Sequence, residues 1–171
     1  MKKIIAIILS LIFLAGLDFK IEAADLGKIG YVDLGKVFDE YQKTKDSEKE
    51  LGKKGETKEA ERGKIVADLR RLQDELEISS DKEKEKKQGQ VEERAQELQD
   101  FDREIRASLK KERDARVRDI LQEIDKAIQE YGQKEGYVLI LNERALLYEA
   151  KELDLTDKII GILNEGYNKK K

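Results

Sequence analysis

The chain has 171 residues, 43% of them charged and 39% hydrophobic, with 35 Lys and Arg against 38 Asp and Glu and no Cys, His, Trp or Pro. These zeros exclude a thiol nucleophile, an imidazole base, a Cys/His zinc site and a disulfide framework. A net charge of -3 argues against a general nucleic-acid binder, and a charged fraction this high without proline points to long solvated helices rather than a compact globule.

In chain order, residues 1–23 read as a signal peptide. Lys2 and Lys3 precede a nearly unbroken apolar run from Ile4 to Leu17, too short for a comfortable membrane span. Ile21 and Ala23 suit the −3 and −1 positions of a cleavage site, placing the cut near Ala23 and the mature protein outside the inner membrane. An uncleaved N-terminal anchor is the alternative. A lipoprotein site is excluded because Leu17, not Cys, follows Leu14-Ala15-Gly16. No later apolar run approaches spanning length, so the mature chain is expected to be soluble.

The remainder divides by composition. Residues 24–41 and 132–171 are rich in apolar side chains, while 42–131 are poor in them and dense in charge. This predicts an α+β fold: a small β-sheet body made from both ends, and a long projecting antiparallel helical hairpin. Lys28–Leu34 is a candidate strand, and Tyr137–Leu141, bounded by Gly136 and Asn142, is a stronger one whose unbroken apolarity suggests burial on both faces. Ala145–Tyr148 reads as a third strand, closing a hairpin across Asn142–Arg144. Leu155–Leu163 reads as a helix with Thr156 as N-cap and Ile159, Ile160 and Leu163 on one face. Val37, Phe38 and Tyr41 are expected to open the first long helix. The candidate body core and assembly residues are Ile29, Tyr31, Val32, Phe38, Val138, Leu139, Ile140, Leu141 and Leu147.

In the middle, Ile65, Leu69, Leu72 and Leu76 recur with heptad spacing. Val91, Leu98, Phe101, Ile105 and Leu109 form the returning stripe, completing the predicted seam. The tip is expected near 78–81, where Ser80 and Glu83 have the spacing of a capping box. Folding there sets Leu69 opposite Val91 and Ile65 opposite Ala95. Gly52, Gly55 and Gly63 lie in a stretch whose apolar residues are only Leu51 and Ala60. They mark either a weak point that lets the arm bend or glycines that a charged helix tolerates. Arg103, Arg106, Lys110 and Arg113 make a basic stripe on one helical face. The stripe could attract anionic headgroups or acidic clients, leaving peripheral membrane contact open. Pairing with Glu48, Glu50, Glu56, Glu59 and Glu61 of the facing limb is the preferred reading.

Motifs for chemistry are absent. Gly52–Thr57 lacks the spacing and the preceding strand of a phosphate loop. Asp154–Asp157 lacks the oxygens and the glycine of a calcium loop. No catalytic, metal or cofactor-binding residue is assigned, no cofactor is expected, and an enzyme is not.

The opening Lys28–Phe38 pattern, the charged hairpin, the closing Gly136–Asn142 and Ala145–Tyr148 pair, and Leu155–Ile160 together resemble the Skp/OmpH family of periplasmic chaperones over essentially the whole mature chain. The resemblance implies a homotrimer with a barrel-like central sheet and three helical arms around a cavity. It also implies an ATP-independent holdase for unfolded outer-membrane proteins, with no nucleic-acid partner. The best-known relatives are basic, whereas this chain is slightly acidic, so no lipopolysaccharide or electrostatic client site carries over. A coiled-coil structural adaptor of the cell envelope is the alternative function.

Overall fold

A computed structural model describes residues 27–169; the expected signal peptide lies outside them. The chain is mostly helical, with two strands. In order, the elements are β1 (Lys28–Val32), α1 (Leu34–Glu40), α2 (Gln42–Glu77), α3 (Asp81–Glu135), β2 (Tyr137–Asn142), two 3-10 turns (Glu143–Ala145 and Lys151–Leu153) and α4 (Thr156–Asn168).

β1 and β2 pair in parallel, with Ile29 opposite Leu139, Gly30 opposite Ile140, Tyr31 opposite Leu141 and Val32 opposite Asn142. Parallel neighbours need a crossover connection, and here it comprises α1, α2 and α3. The residue at 30 is glycine for a packing reason: a Cβ there would lie 2.6 Å from Leu155 Cδ1. Gly136 ends α3 in the left-handed region (φ 77°), and its N–H donates to Gly132 O, a termination that favours residues without a Cβ.

The expected third strand does not form. Asn142 Oδ1 accepts from Arg144 N–H at 3.2 Å, starting a 3-10 turn in place of a tight hairpin loop. No glycine is present there to supply the positive φ that a two-residue hairpin turn demands. Leu147 and Tyr148 are left fully exposed. The other edge of β1 is met by a bridge from Tyr31 to Asp154 and by Leu155 N–H donating to Tyr31 O at 2.9 Å.

Two further expectations are corrected. Val37, Phe38 and Tyr41 do not open the long helix: α1 is separate, and Tyr41 (φ −66°, ψ 124°) is extended between α1 and α2. Thr156 is not the N-cap of α4. Asp154 Oδ1 accepts the Thr156 N–H at 2.8 Å, which frees the Thr156 hydroxyl to accept from Asp33 N–H at 2.9 Å. Asp33 in turn caps α1, its Oδ1 accepting from Lys36 N–H at 3.0 Å.

The core gathers Val32, Val37, Tyr41, Ile120, Ile124, Leu155, Ile159, Ile160 and Leu163. Each fully buried aliphatic side chain contributes about 1.5–3 kcal/mol. Of the expected body residues, Tyr31 and Val32 are buried, while Phe38, Ile140 and Leu141 are half-buried. Ile29 (43%), Val138 (64%), Leu139 (45%) and Leu147 (108%) are exposed, so the burial of β2 on both faces is not found within one chain. Side chains alternate along a strand, so Ile29 lies on the face opposite Val32. In one chain the α-helices pack on the Val32 face; on the other face Tyr31 is buried while Ile29 and Leu139 are exposed.

Candidate functional site

The two long helices meet along a mixed seam. Ile65 is buried, while Leu69, Leu72, Leu76, Val91, Leu98, Phe101, Ile105 and Leu109 are half-buried. Toward the sheet the same spacing continues through Leu51, Gly55, Lys58 and Arg62, all half-buried. Gly55, Lys58 and Arg62 were missed by reading only apolar residues. Their spacing of three and four is the signal that would have found them.

Ion pairs take the place of apolar contacts there. Lys43 Nζ meets Glu123 at 2.9 Å, Arg116 meets Glu50 at 2.8 Å, and Lys54 bonds Glu112. Arg62 meets Asp102 at 2.8 Å, Arg94 bonds Asp68, and Lys87 meets Glu75 at 2.7 Å. As the residue number climbs along α2, that of its partner falls along α3. The hydrogen bond from Arg62 holds the Asp102 carboxyl below the usual range. Those from Lys54 and then Arg116 do the same for Glu112, and those from Lys87 and then Arg71 for Glu75. Where α2 offers Gly55, a groove of about 100 Å³ opens beside Phe101, Ile105 and Leu109, flanked by Lys54 and Lys58. Lys58 Nζ stands 5.9 Å from the Phe101 ring centroid.

The basic stripe does not face α2. Arg103, Arg106, Lys110 and Arg113 are all exposed; Arg103 pairs with Asp100 at 2.9 Å and Lys110 with Asp114 at 3.3 Å on its own helix. The preferred pairing is therefore corrected: Glu50 goes to Arg116, Glu59 to Arg62 and Glu61 to Lys58. The reason is azimuth. At 3.6 residues per turn, the α3 face bearing Asp102, Glu112 and Arg116 turns the stripe away from α2.

At the tip, Ser80 is the N-cap of α3, as its spacing predicts, but makes no side-chain bond to a helix N–H. Its hydroxyl donates to Glu83 Oε2 at 3.0 Å instead, so the reciprocal capping box does not form. Ser79 Oγ closes the end of α2 by donating to Glu75 O at 2.5 Å.

Near the sheet, a second groove of about 280 Å³ is lined by Leu34, Leu121, Ile128, Ile140 and Leu141 among others. Val138, and Ile29 with Leu139 on the opposite face of the sheet, are further exposed apolar residues of the body. Beside β2, burial and the neighbouring Asp33 push the Glu143 carboxyl up. Among the described residues no group of acids is arranged to hold a metal, and no helix is long and apolar enough to cross a membrane.

Known proteins share this arrangement. The family model for outer membrane protein (OmpH-like) matches residues 28–163. A "Skp-like protein" of Chlamydia pneumoniae is 31% identical over 147 residues, covering 82% of this chain and 86% of the relative. The crystal structure of a protein described as an outer membrane chaperone (OmpH-like) from Caulobacter crescentus CB15 superposes with a TM-score of 0.74 at 14% identity, covering 82% of this chain and 86% of that one. That structural likeness shows the fold; the family match and the Chlamydia relative show the membership. The chain belongs to the OmpH-like outer membrane protein family.

Proposed function

We propose that this protein is an ATP-independent periplasmic holdase, which binds unfolded outer-membrane proteins in a cavity between helical arms and prevents their aggregation. In this reading residues 1–23 are removed on secretion, 24–41 with 132–171 form the body, and 42–131 form the antiparallel hairpin arm. The carrying observation is the pairing of α2 and α3: a long charged surface interrupted by small apolar grooves such as that at Phe101. A holdase needs many weak contacts with many sequences rather than one fitted pocket, because each contact must be released again. Exposed charge keeps such a surface soluble.

The uncovered body surface supports homotrimer assembly. Exposed Ile29, Val138 and Leu139 would be buried between subunits, joining strands into a central sheet. This reading assigns no covalent step, cofactor or nucleic-acid partner. The test is to dilute a denatured outer-membrane β-barrel protein into the purified chain without nucleotide and follow light scattering. Suppression of scattering is expected; none at several-fold excess of chaperone refutes the reading.

A further inference from the structure

We propose that Asn164 is the positioning residue that holds the helix break at Tyr41, and thereby sets how α2 lies along α3. A sharp break in a helix normally has a proline, a Gly/Ser pair, a π-bulge or an inserted side chain behind it. The segment Phe38–Thr44 contains neither proline nor glycine. A side chain is inserted instead: Asn164 Oδ1 accepts the Gln42 N–H at 2.7 Å, and its Nδ2 donates to Glu40 O at 3.4 Å. One amide thus satisfies a loose donor and a loose acceptor on the two sides of the break. Its orientation is fixed by chemistry, since an N–H needs an oxygen and a carbonyl needs an N–H.

The groups taken by Asn164 are those an uninterrupted helix would use. There, the Gln42 N–H would reach Phe38 O and the Thr44 N–H would reach Glu40 O. In the structure the Thr44 N–H turns to Tyr41 O at 3.0 Å. The Thr44 hydroxyl, in a side chain only 3% exposed, has no hydrogen-bond partner. A helical threonine commonly donates to the carbonyl four residues back, here Glu40 O, which the break moves out of line and Asn164 occupies. The chain therefore has a competing arrangement, a straight helix from 34 to 77, in which Thr44 is satisfied. Asn164 holds it off from α4, which is anchored at both ends: Thr156 accepts from Asp33 N–H, and Tyr167 OH donates to Asp46 Oδ2 at 3.1 Å. Tyr41 adds its own hydroxyl to Glu123 at 2.8 Å. The direction of α2 is thus set from α4, far away in sequence.

The test does not depend on the chaperone reading. The chain has no cysteine, so Cys at the exposed positions Lys64 and Gln99 gives one spin-label pair across α2 and α3. The pair is measured by pulsed EPR in full-length protein diluted with unlabelled chain. Asn164→Ala should shift the distribution to longer distances. Adding Gln42→Pro should restore it. Proline suits the first helical position, and Tyr41 already has the extended ψ that a following proline imposes. An unchanged distribution in Asn164→Ala, or a shift that Gln42→Pro fails to reverse, overturns the proposal. A purely structural loss would lower the melting temperature without that rescue. If Asn164→Ala does not fold, Asn164→Asp keeps the acceptor and loses the donor. It should broaden the distribution, and an unbroadened one counts against the proposal.

Discussion

Replacing Gly52, Gly55 and Gly63 together by alanine should stabilise the protein, although the same substitution at Gly30 should destabilise it. At the three α2 positions an added Cβ meets no heavy atom within 4 Å, and α2 runs unbroken through them. The full propensity gain is therefore available, about 0.5–1 kcal/mol per site, or about 1.5–3 kcal/mol for the three. At about 2–4 °C per kcal/mol for a domain of this size, the melting temperature should rise by about 3–12 °C. At Gly30 the new methyl would stand 2.6 Å from Leu155 Cδ1 and 3.2 Å from Tyr137 Cε1, inside the packed end of the body. Overpacking there costs about 1–3 kcal/mol. The assay is thermal unfolding by circular dichroism at 222 nm, at one fixed protein concentration because the proposed trimer would contribute to apparent stability. A melting temperature of the triple variant equal to or below wild type would show that these glycines make close contacts or serve as a bend, and would refute the reasoning.

Ile124→Ala, at a core position 1% exposed, should cost about 2–5 kcal/mol through lost burial and the cavity left behind; denaturant unfolding measures it, and a loss below 1 kcal/mol would place Ile124 outside the core. Leu139→Asp should leave the secondary structure of the chain intact, because Leu139 is 45% exposed, and yet abolish the proposed trimer by placing an unpaired charge in its interface. Light scattering after gel filtration decides this, and a trimer at wild-type concentration would remove Leu139 from the interface. Acid should loosen the pairing of α2 and α3 before the body melts. The carboxyls of Glu75, Asp102 and Glu112 are held low in the folded state, so their stabilisation is full above the unfolded values of about 4 and is lost as pH falls through the lower folded ones. Among the described carboxyls of the body only Asp33, held low by the Lys36 N–H it accepts, acts in the same direction, while Glu143 is shifted the other way, so its protonation relieves repulsion with Asp33. Far-UV circular dichroism should therefore fall at higher pH than the near-UV signal of Tyr41, Tyr131 and Tyr137; coincident transitions would contradict this.

The parts legible in the sequence are those set by local chemistry. β1, β2, α4 with Ile159, Ile160 and Leu163 on its buried face, and the turn before Ser80 all follow from hydrophobic period and turn residues within a few positions. So does the charge-dense middle, because its few apolar residues recur at spacings of three and four, as on one face of a solvated helix. Two failures were local: Asn142 starts a 3-10 turn where the third strand is expected, and Ser80 bonds the Glu83 side chain rather than a helix N–H. The others depended on partners distant in the chain. The break at Tyr41 is bracketed by Asn164, and Thr156 gave up its capping role to hold Asp33. The basic stripe was legible as a stripe, but its direction was not, since azimuth depends on which face of α3 meets α2. Composition and period thus determined which segments are helix, strand and turn. Only the tertiary structure decided which polar groups satisfy one another across the fold, because a hydrogen bond or ion pair between residues a hundred positions apart leaves no mark on the local pattern of either.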